Sequence, residues 1–134
     1  MQTREGSFFS AHEQFKRHFA PLKIDLCLQL GSGWGGLINS GLEGKVLAHL
    51  TFSDLGLPMP DRSIGHAGEI YVVQRNDRSI LVLNGRLHRY DLEEQNRHLS
   101  YVPLWLALQL GCRHFVLTNA AGAINLSYQL GELI

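Results

Sequence analysis

The 134-residue chain has no charge bias, because 12 Lys and Arg face 12 Asp and Glu. Such a surface offers no basic stripe for nucleic acid and no polybasic face for anionic lipid, so neither partner is expected. No apolar run approaches the roughly 18 residues that a membrane helix needs. The N-terminus, Met1 to Gly6, is polar and lacks the apolar region of a secretory signal. Cysteine is scarce: Cys27 and Cys112 each sit in an apolar stretch. Buried, reduced thiols are the expectation. A single disulfide is the alternative, and nothing in the chain points to an oxidising compartment. A soluble, cytoplasmic protein is therefore expected. The seven histidines (His12, His18, His49, His66, His88, His98, His114) show no metal-ligand spacing and no cysteine pairing, so no metal is expected. Repeats and low-complexity segments are missing as well.

What the chain does have is a core and many glycines. Hydrophobic residues make up 45% and charged residues 18%, a composition that folds. Glycine reaches 14 of 134 positions. Single loop glycines mark tight turns or close approach of backbone to a ligand.

The pattern alternates helices and strands. Ser10 and Glu13 have capping-box spacing, and Phe8, Ala11, Phe15 and Phe19 recur at helical intervals up to Pro21. Ile24 to Leu30 reads as a buried strand, and a weaker strand spans Val46 to Phe52. Ser53 to Gly68 is loop chemistry. Glu69 to Val73 and Ser79 to Leu83 form an antiparallel pair about Asn76-Asp77. Asn84 to Asn96 is irregular. Val102 to Gly111 is helical, with Pro103 in its first turn and Gly111 as stop. His114 to Leu117 is a short buried strand, and a further strand is expected to start within Leu130 to Ile134. The fold class is α/β, with a mixed, largely parallel sheet flanked by helices. Residues 1–134 are expected to be the N-terminal part of a single domain, incomplete at its C-terminal end.

Ligands of open α/β sheets bind beyond the carboxyl ends of strands, so the loops there carry the candidates. Gly31-Ser32-Gly33 follows the first strand. Its glycines let backbone N–H groups approach an anion, and Ser32 adds a donor. Gly31, Gly33 and Gly36 also match G-x-G-x-x-G, which raises a dinucleotide-binding oxidoreductase as an alternative. The following segment, broken by Gly41 and Gly44, makes a poor crossover helix for that reading. Arg86 and His88 alternate on one face of an extended segment, so both can address one ligand, while Arg89 faces the other way. Thr118-Asn119-Ala120-Ala121-Gly122 leaves room for a flat ligand against the backbone. His66, between Gly65 and Gly68, is expected to swing over a bound ligand. Trp34, Trp105 and the phenylalanines read as core or interface residues.

Four ordered motifs resemble the trimeric purine nucleoside phosphorylases: Leu30-Gly31-Ser32-Gly33 with Gly35-Gly36-Leu37, Gly65-His66-Ala67-Gly68, Gly85-Arg86-Leu87-His88-Arg89-Tyr90, and Thr118-Asn119-Ala120-Ala121-Gly122. The resemblance implies a phosphorylase-like fold and a homotrimer. It implies reversible phosphorolysis of purine nucleosides to free base and ribose 1-phosphate, with inorganic phosphate as co-substrate and no other cofactor. By residue match it implies Ser32, His66, Arg86, His88 and Ala120 as phosphate ligands and His88 as the catalytic residue. Tyr90 matches the tyrosine on the ribose, and Ala121 and Gly122 line the purine. The family's purine-binding glutamate and asparagine would lie beyond residue 134. After Tyr90 the family continues Glu-Gly, whereas this chain has Asp91-Leu92. A phosphorylase-like domain without turnover is the alternative reading.

Overall fold

The computed structural model describes residues 4–40 and 42–134. The first helix, α1, runs Arg4–Phe19 and buries Ala11, Phe15 and Phe19 completely. The capping box expected at Ser10 is not used, because Ser10 lies inside the helix and is exposed. The buried apolar stripe decides where this helix packs, and a solvent-facing serine within it costs little. The helix ends just ahead of Pro21, as the sequence requires.

Five strands follow: β1 (Leu26–Leu30), β2 (Lys45–Thr51), β3 (Glu69–Arg75), β4 (Arg78–Asn84) and β5 (Phe115–Leu117). They form one mixed sheet in the order β2-β3-β4-β1-β5. β1 pairs in parallel with both β4 and β5, while β2–β3 and β3–β4 are antiparallel. The parallel part is thus the β4-β1-β5 half. The β3–β4 hairpin turns at Asn76, whose positive φ of 52° is a conformation that asparagine tolerates.

Period-2 alternation sends β4 side chains to two cores. Leu81 and Leu83 join the larger core with Cys27, Ile70 and Val72, beneath α1 and α3 (Val102–Gln109). Val82 joins a smaller core with Leu30 and Val73, covered by Trp34 and by α2 (Leu37–Ser40). Trp105 packs against the larger core. Helices therefore flank both faces. Cys27 and Cys112 are both buried free thiols, and desolvation pushes the Cys27 thiol up to about 12.

Two expectations are corrected here. The dinucleotide reading needs a long helix after Gly36 that returns to a parallel neighbour of β1. Here α2 has only four residues, and β2 pairs antiparallel with β3 across the sheet. The strand expected within Leu130 to Ile134 does not form, and those residues are exposed. A strand needs a ladder partner for its N–H and C=O groups, and among the described residues none adjoins this segment.

Candidate functional site

Register brings the motif loops to one edge of the sheet. Leu30 pairs with Asn84 and Gln29 with Leu117, so β1, β4 and β5 end together. β3 runs the opposite way and pairs Glu69 with Asn84, which returns the Gly65–Gly68 loop to the same edge. Ser32 stands two residues past β1, Arg86 two past β4 and Ala120 three past β5. With strands about 4.8 Å apart, the ends of β4 and β5 lie roughly 10 Å from each other, with β1 between them.

Two glycines show how closely these loops approach. A Cβ on Gly31 would sit 2.4 Å from the Thr118 carbonyl oxygen and 2.9 Å from Asn119 Cα. The Gly31 N–H donates to Thr118 Oγ1 at 2.8 Å, and that hydroxyl donates to the Gln29 carbonyl at 3.1 Å. Thr118 thus ties the Ser32 turn to the Ala120 segment. Gly85 has φ +106°, and a Cβ there would come within 3.0 Å of His66 Cα and Cβ. The Gly68 N–H donates to the Asn84 carbonyl at 2.9 Å, fixing the His66 loop to the end of β4.

His66 is only 1% exposed, so it is a wall of the site; the swinging cover expected from its flanking glycines is not what the fold builds. Its Nε2 lies 3.0 Å from His88 Nε2. One of these nitrogens carries the proton and the other accepts it. Burial holds the His66 imidazole below its ordinary 6.5; His88 and Arg86 push the same way, and Asp91 opposes them. His88 in turn stacks on Tyr90, with ring centroids 4.7 Å apart and planes 14° apart. Tyr90 itself is largely exposed.

Three buried polar atoms at this edge have no hydrogen-bond partner among the described residues: His66 Nδ1, Arg86 Nε and Asn84 Oδ1. Buried polar groups are normally satisfied, and such orphans point to a ligand or water. Gly35, Arg62, Gly65, His66, Glu69 and Asn84 line a cleft of about 320 Å³ here. Ser32 is half-buried, while Ala120, Ala121 and Gly122 are exposed in an irregular segment.

Glu69 and Asn84 are site-edge residues that motif reading passes over. Glu69 accepts from Tyr71 Oη at 2.9 Å and from Asn84 Nδ2 at 3.3 Å. Burial, reinforced by that carboxylate, pushes the Tyr71 phenol up to about 12. The signal that reveals them is strand register, since Glu69 opens β3 opposite the last residue of β4.

No protein-family model matches the chain. Named relatives do. The purine nucleoside phosphorylase of Mycobacterium leprae is 34% identical over 115 residues, covering 84% of this chain and 41% of that protein. Purine nucleoside phosphorylase 1 of Geobacillus stearothermophilus is 30% identical over 121 residues, covering 90% and 42%. Among solved structures, isoform 2 of the purine nucleoside phosphorylase of Schistosoma mansoni, in complex with cytosine and ribose-1-phosphate, matches with TM-score 0.70 and 28% identity. That match covers 98% of this chain and 44% of the other. The chain spans about two fifths of the length of the curated relatives it matches. In sequence and in fold alike, the chain is similar to part of these purine nucleoside phosphorylases.

Proposed function

We propose that the edge beyond β4-β1-β5 holds inorganic phosphate for the phosphorolysis of purine nucleosides to free base and ribose 1-phosphate. Ser32, Arg86, His66, His88 and the Ala120 amide are the phosphate ligands. Tyr90, Ala121 and Gly122 border the nucleoside. The observation that carries the reading is the His66–His88 contact beside the partnerless Arg86 Nε, at an edge where four loops converge. Donors without partners are what an oxyanion completes.

The chemistry asks little covalent work of the protein. A phosphate oxygen bonds to the anomeric carbon as the glycosidic C–N bond breaks. The bonding pair leaves with the purine, which takes up a proton. Arg86 and the backbone donors fix the dianion beneath the developing positive charge on the sugar. His88, hydrogen-bonded to His66, orients the phosphate and is the catalytic residue. No cofactor is required beyond phosphate itself.

The chain acts as the N-terminal part of a single-domain phosphorylase subunit in a homotrimer, in the reducing cytoplasm. Two buried free thiols support that compartment. Among the described residues no helix is long and apolar enough to cross a membrane.

Calorimetric titration with phosphate tests the cradle, and hypoxanthine release from inosine with phosphate tests the reaction. Saturable binding that Arg86→Ala weakens at least tenfold supports the site, whereas no phosphate binding overturns it. Binding without phosphate-dependent hypoxanthine release selects the second reading, a phosphorylase-like domain without turnover.

A further inference from the structure

Arg89 lines a second cleft, of about 340 Å³, together with Glu94, Arg97, His98 and Tyr101. Arg89 belongs to a 3-10 turn, Arg89–Asp91, and the other four belong to the 3-10 helix Glu94–Tyr101. The 3-10 spacing stacks Glu94 over Arg97 and His98 over Tyr101, and Arg89 of the preceding turn lines the same cleft. Both arginines are exposed, and neither forms an ion pair among the described residues. Two arginines and one glutamate thus line the same cleft, which leaves an excess of positive charge. The volume falls within the small-molecule range.

We propose that this cleft is a second anion site, distinct from the Ser32–Arg86–His88 cradle, which takes the phosphate group of a small phosphate monoester. A tetrahedral oxyanion presents oxygens in several directions, so guanidiniums from two separate elements can share it. Glu94 excludes the anion from its own side and so fixes where the phosphate group sits. The cleft has room beyond the phosphate for a small organic group. The site lies just past His88 and Tyr90 in the chain, so occupancy orders the turn that follows the cradle.

The test is amide NMR of the full chain titrated with inorganic phosphate, in parallel with chloride at matched ionic strength. The expected result is saturable, phosphate-specific shifts across residues 94–101. Arg97→Ala, or Arg97→Gln as a second exposed-site variant, should weaken that response at least tenfold while leaving the shifts around Gly31–Gly33 and Gly85–His88 intact. Arg86→Ala should do the reverse. Shifts at 94–101 that chloride reproduces, or no shift there, overturn the proposal. Shifts at 94–101 alone support it and count against the cradle, so the two readings fail separately.

Discussion

His66 Nε2 and His88 Nε2, 22 residues apart in sequence, meet at 3.0 Å on the carboxyl edge of the sheet. With one proton between them, a second protonation sets two N–H groups head to head and breaks the bond. On the proposed reading, a bound phosphate reverses that preference, because two donors then have an acceptor.

The pH dependence of stability follows from His66. Its folded value is lowered, first by burial and then by His88 and Arg86. The unfolded chain therefore binds more protons than the folded chain at mildly acid pH. This contribution is complete above the ordinary value of 6.5 and is lost as pH falls through the lowered folded value. The denaturation midpoint should drop between about pH 7.5 and about pH 5.5, and His66→Gln should flatten that drop. An equal drop in the variant would assign the dependence to other groups.

Gly31→Ala should destabilise the fold by about 1–3 kcal/mol, because the new methyl overlaps backbone that cannot swing aside. Its closest neighbours are the Thr118 carbonyl and Asn119 Cα. Urea unfolding followed by Trp34 and Trp105 fluorescence measures the loss. Phosphate affinity should fall with it, since the β1 and β5 loops must separate.

Thr118 separates a hydroxyl effect from a packing effect. Thr118→Val removes the bonds to Gly31 N–H and the Gln29 carbonyl, a loss of about 1–3 kcal/mol. Thr118→Ser keeps both bonds and should retain most of the stability. If Thr118→Ser costs more than Thr118→Val, the methyl group and not the hydroxyl holds the two loops together.

The outer edge of β5 carries Val116 and Leu117, 45% and 58% exposed, and Leu126, Leu130 and Leu133 are exposed beyond it. Among the described residues no strand pairs with that edge, and an uncovered edge with apolar neighbours invites association. Sedimentation should show concentration-dependent self-association that Leu117→Lys reduces. A monomer at all concentrations would refute this.

Much of the fold is legible in the chain because it is local. Apolar spacing in Ala11, Phe15 and Phe19 marks α1, alternation in β3 and β4 marks the hairpin, and Asn76-Asp77 marks its turn. The start of α1 is less legible, since burial outweighs the Ser10 cap signal. The Leu130–Ile134 segment carries strand-like residues, yet strand formation needs a partner that sequence pattern alone does not supply. Within the site, Arg86 and His88 stand out by type and spacing, whereas Glu69 and Asn84 have no motif to announce them.

The sequence by itself determined the α1 stripe, the β3–β4 hairpin with its turn, and which loops carry donors and small residues, because side-chain period and glycine placement are local properties. Only the tertiary structure decided that β1, β4 and β5 end in step, that His66 reaches His88, and that Arg89 turns toward a separate cleft. Those relationships depend on strand order and register, set by packing many side chains at once, and no short stretch of chain encodes them.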